Sequence, residues 1–68
     1  MINTKKFKSK MIEKGYTYQS LAPKVKLTGY TLGQKVLNKK KMTLEEANMC
    51  AELLSINDLE FRDIFLQS

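Results

Sequence analysis

Tyr30, Gly33, Gln34 and Leu37 recur at i, i+3, i+4 and i+7, the spacing that puts side chains on one face of a helix. That face carries no charge, although it lies in the more basic half of the chain. Its chemistry is hydrogen bonding and close approach rather than acid–base work. A glutamine amide can pair bidentately with adenine. A tyrosine offers a ring edge to a thymine methyl group or a hydroxyl to phosphate. Gly33 would sit mid-face, where a missing side chain lets backbone and bases come close, and Gly29 would relieve crowding at the segment's entrance. Gly29, Tyr30, Gly33 and Gln34 are therefore the candidate base contacts. Each glycine costs about 1 kcal/mol of helix propensity relative to alanine, and a groove-facing role would account for that. The competing reading packs Gly33 against a neighbouring helix.

Around this face stand groups suited to phosphate. Thr28 and Thr31 carry hydroxyls, and Tyr18 and Gln19 open the preceding segment, where helix amides favour an anion. Lys35, Lys39, Lys40 and Lys41 supply positive charge. Phosphate contacts of this kind fix register, while base contacts carry specificity.

Composition limits the rival chemistries. The 68 residues include no histidine and one cysteine, Cys50, so neither an internal disulfide nor a zinc cage of histidines and thiolates is available. A chain of this length buries only about 60% of its unfolded surface, which leaves little for a catalytic cleft. We expect no enzyme, no cofactor and no small-molecule substrate. The 43% hydrophobic content favours a folded globule over a disordered tail. No apolar run approaches the roughly 18 residues of a spanning helix, and the basic N-terminus lacks an apolar h-region. No membrane role is expected. Charge is unevenly placed: residues 1–42 hold eleven of the twelve basic residues and one acid, a balance of +10, whereas residues 43–68 hold Arg62 and six acids, a balance of −5. The basic half suits a polyanion.

The elements that must position these residues are five short helices. Asn3 or Thr4 caps the first, Thr17 the second, Thr28 the third, Thr43 the fourth and Asn57 the fifth. "TLEE" and "NDLE" read as capping boxes, and Gly15 stops the first helix. No stretch alternates with period two long enough to be a strand. The chain is expected to be all-α and one domain over 1–68. A second and third helix joined by three or four residues give a helix-turn-helix at about 17–37, with the helix over 29–37 placed for the major groove.

"YTYQSLAPKVKLTGYTLGQKVLNKKKMTLEEANMCAELLSI" resembles the helix-turn-helix core of phage Cro and repressor proteins, the Xre-type superfamily. More narrowly, it is similar to short Cro-like regulators of phages that infect low-GC Gram-positive bacteria. Gln19, Leu21, Ala22, Val25, Leu27, Thr28, Leu32, Val36, Asn38 and Lys39 fill the places of the family pattern. The resemblance implies a compact lambda-repressor-like fold, sequence-specific binding to a double-stranded DNA operator, and a cytoplasmic site of action in a bacterial host. Two positions depart from the pattern. Lys26 stands where the family usually has glycine, so it must take a left-handed backbone or alter the turn. Pro23 lies inside the second helix and should bend or shorten it. Palindromic operators also imply a homodimer, for which Ile64 and Leu66 of the last helix are the candidate contacts; the competing reading puts them in the monomer core. Two other functions fit the same fold: an antirepressor-like protein-interaction module and a basic RNA-binding accessory protein.

Overall fold

Five side chains fix where helices begin. Asn3, Thr17, Thr28, Thr43 and Asn57 each accept a hydrogen bond from the backbone N–H three residues on. In the computed structural model, which describes residues 1–66, the elements that follow are α1 (Thr4–Glu13), α2 (Tyr18–Leu21), a 3-10 helix (Ala22–Val25), α3 (Gly29–Val36), α4 (Leu44–Leu53) and α5 (Asp58–Phe65). The described residues form an all-α fold with no strand. None of these helices is long and apolar enough to cross a membrane.

Pro23 divides the second helical segment. It has no N–H to donate to Gln19, so α2 closes after one turn and the chain continues as a 3-10 helix with Pro23 in its first turn. That helix ends on Lys26 at φ 60°, ψ 37°, the left-handed conformation. The Lys26 N–H bonds the Pro23 carbonyl at 3.3 Å and the Leu27 N–H bonds that of Ala22 at 2.9 Å, the paired closure of a Schellman motif. A lysine thus does the work that usually falls to glycine. The third helix is one residue shorter than expected, with Leu37 as its C-cap.

The core forms where the helices converge. Phe7, Leu21, Leu32 and Leu54 are its largest fully buried side chains, joined by Val25, Val36 and Cys50. Phe65 of α5 closes it, edge-on to Phe7 with ring centroids 5.8 Å apart. The N-terminal residues are stitched across this core. Asn38 accepts from the Ile2 N–H at 2.7 Å and donates to the Ile2 carbonyl at 2.8 Å. The Thr4 hydroxyl donates to the Val36 carbonyl at 2.7 Å, and the Asn3 N–H to that of Ile64 at 2.7 Å.

One expected dimer contact is corrected here. Ile64 is 2% exposed and belongs to the core, because α5 lies along α1 and turns this residue inward. Leu66, at 63% exposure, remains on the surface.

Candidate nucleic-acid interface

The start of α2 is held by reciprocal hydrogen bonds between Thr17 and Ser20, which aim Tyr18 and Gln19 at α3. The consequence shows at both glycines of that helix. A Cβ on Gly29 would fall 2.7–2.8 Å from the Gln19 carboxamide, so the amide lies directly over the start of α3. A Cβ on Gly33 would meet the Tyr18 ring at 3.5 Å. Gly33 is buried beneath that ring, and a base edge does not reach it. The expectation that it forms the bare middle of an outward stripe is therefore corrected. Tyr18 is corrected with it: its hydroxyl is shut from solvent, makes no hydrogen bond among the described residues, and has its pKa raised by burial. It does not face a phosphate.

Two of the expected base contacts are presented: Tyr30 is 72% exposed and Gln34 is half-buried. Gly29, also half-buried, lies under the carboxamide of the exposed Gln19, so that amide rather than the Gly29 backbone faces outward there. Thr28 and Thr31 lie at the same end. The Thr28 hydroxyl oxygen accepts from the Thr31 N–H at 3.1 Å and donates its proton to the Thr31 hydroxyl at 3.0 Å. Capping thus occupies part of their hydrogen-bonding capacity, and Thr28 stays exposed. Leu32 and Val36 on the opposite side of α3 are fully buried. The helix is anchored by one face and open on the other.

Comparison with protein-family models, curated proteins and solved structures gave no match.

The lysines divide into two groups. Lys35 bonds both carboxylate oxygens of Glu46, at 2.7 and 2.8 Å, and the two side chains are only 13% and 15% exposed. Glu46 also accepts from the Thr43 N–H at 3.0 Å as part of the α4 cap. Burial alone would raise the pKa of this carboxyl, but the Lys35 and Thr43 hydrogen bonds outweigh it and hold the value below the ordinary 4.5. Lys35 is therefore a structural cation that joins α3 to α4, not a phosphate contact. Lys39, Lys40 and Lys41 are exposed, as expected. They appear in none of the ion pairs among the described residues.

Sequence reasoning missed Lys24 and considered Lys26 only for its place in the turn. Both are exposed and flank the turn that leads into α3, next to the Thr28 cap. Their position just before a helix N-terminus was the available signal. Elsewhere the basic half is partly neutralised: Lys10 meets Glu60 at 2.6 Å and Lys6 approaches Asp63 at 3.8 Å, tying α1 to α5. Cys50 is buried, and burial, with repulsion from Glu46, pushes its thiol up to about 12. A thiol of that kind is neither a nucleophile nor a metal ligand at neutral pH.

Proposed function

We propose that the chain is a sequence-specific DNA-binding regulator of the Cro or repressor type, in which α2 and α3 act as a helix-turn-helix. In this reading α3 enters the major groove of an operator. Its eight residues span about 12 Å, close to the width of that groove. Gln34 reads a base edge and Tyr30 contacts a thymine methyl group or the sugar-phosphate wall. Gln19, folded over Gly29, faces phosphate together with Thr28 and the N-terminal amides of α3. Lys24 and Lys26 before the helix and Lys39 to Lys41 after it grip the backbone on either side.

The observation that carries this reading is the arrangement of α3 itself. One face is sealed into the core by Leu32 and Val36, and the other presents uncharged hydrogen-bonding groups between two sets of exposed lysines. A merely solvated surface helix gains nothing from such a pattern. The residues suited to base edges lie in the centre and those suited to phosphate lie at the ends.

Selection of bound duplexes from a random pool tests it. The expected product is a shared sequence, and a palindromic one would report a twofold complex. On that sequence Gln34→Ala should weaken binding by about 1–3 kcal/mol while leaving a scrambled duplex unaffected. Recovery of no common sequence, or preference for single-stranded or A-form RNA, would overturn the proposal.

A further inference from the structure

A groove of about 520 Å³ lies away from the exposed edge of α3, between the N-terminal residues, the loop joining α3 to α4, and the end of α5. Its walls combine two chemistries. Met42, Leu44, Phe61 and Leu66 supply apolar surface, and Lys39, Lys40 and Lys41 line the same opening. Leu44 is 69% and Leu66 63% exposed, and the three lysines make no ion pair among the described residues. A DNA backbone would engage the lysines and leave the leucines in water. Something that satisfies both must carry carboxylates beside large apolar side chains.

We propose that this groove docks an acidic, leucine- or phenylalanine-bearing helical segment of a partner protein. Apolar anchors at i, i+3 and i+4 of such a segment would fill the groove, and carboxylates beside them would face Lys39 to Lys41. Charge complementarity selects this occupant over a second copy of the chain. A twofold self-contact brings the same patch of each copy together, and among the described residues the groove lining offers lysines but no carboxylate to meet them. The recess between helix ends also suits a narrow segment better than the plane of a bilayer. The inference does not require base reading by α3, but it draws on Lys39 to Lys41, which the operator reading gives to the DNA backbone, so duplex and peptide should compete for these lysines.

The test uses the full chain, isotopically labelled, and a fluorescent helical peptide with leucines at i, i+3, i+4 and i+7 and glutamates between them. Saturable shifts should concentrate at Met42, Leu44, Ala47 and Phe61. Leu44→Ser removes an exposed side chain and so leaves folding intact; it should weaken the peptide about tenfold, the scale of one leucine's burial, while duplex binding is retained. Replacing Lys39, Lys40 and Lys41 by glutamine should weaken it at least as much. Equal binding of a peptide with alanines in place of the leucines would reduce the site to a charge contact and overturn the proposal. So would dodecanoate saturating these residues where the peptide does not, or groove shifts that follow the protein's own concentration. Peptide binding by a chain that selects no duplex would uphold the groove and sink the operator reading; duplex selection without peptide binding would do the reverse.

Discussion

At Gly33 an added methyl group would meet the Tyr18 ring at 3.5 Å, an ordinary van der Waals distance. Alanine therefore fits, and it restores helix propensity. We expect Gly33→Ala to raise stability by up to about 1 kcal/mol, seen as a higher urea midpoint with an unchanged slope. Gly33→Leu must displace Tyr18 and should destabilise. A loss of stability in the alanine variant would show that the Tyr18 ring cannot yield even to a methyl group. Gly29 behaves differently. There the new methyl group would collide at 2.7 Å with the carboxamide of Gln19, the far end of a flexible chain that can swing aside. Gly29→Ala should then leave stability within about 0.5 kcal/mol yet weaken duplex binding, because Gln19 loses its seat. Equal binding by this variant and its parent would remove Gln19 from the interface.

Helix ends are where the sequence speaks most plainly in this chain. The caps Thr17, Thr28, Thr43 and Asn57 and the boxes "TLEE" and "NDLE" mark their helices at the residues where they begin, because a cap depends on neighbours three residues away. The fate of Lys26 was legible as a constraint and resolved by the fold into a left-handed residue, as at Asn38 and Ser55. Lys26→Gly should therefore stabilise by about 1 kcal/mol, less the greater freedom glycine has when unfolded; an unchanged melting temperature would mean that the turn holds lysine without strain. What the sequence concealed depends on which element covers which face. A helical wheel sets Gly33 about 60° from Val36 and about 100° from Leu32, at the border of the buried face, but is silent about Tyr18 lying over it. The Lys35–Glu46 pair is hidden in the same way, its partners on different helices. Glu46 has a depressed carboxyl pKa, so its contribution is complete above 4.5 and fades as pH falls through the folded value. Glu46→Gln should cost on the order of 1–3 kcal/mol near neutrality and flatten that part of the acid unfolding curve. An acid limb identical to the parent's would show that the pair contributes nothing.

Across the whole molecule, the division between a +10 and a −5 segment is partly cancelled by folding. α5 lays Glu60 and Asp63 against Lys10 and Lys6, and α4 gives Glu46 to Lys35. The positive field that remains near α3 comes from the turn before it and the loop after it, a distribution that sequence charge counting alone could not resolve. Salt dependence separates the two kinds of lysine. Each phosphate neutralised releases counterions, so replacing Lys39, Lys40 and Lys41 together by glutamine should reduce the slope of log K against log salt by about 2.7, at about 0.9 per contact. Lys35→Gln should leave that slope unchanged and instead lower the melting temperature, since its charge is spent on Glu46. If Lys35→Gln flattened the slope as much as a loop substitution does, its ammonium would have to leave Glu46 when the duplex arrives, and the division between structural and phosphate-facing cations would be wrong.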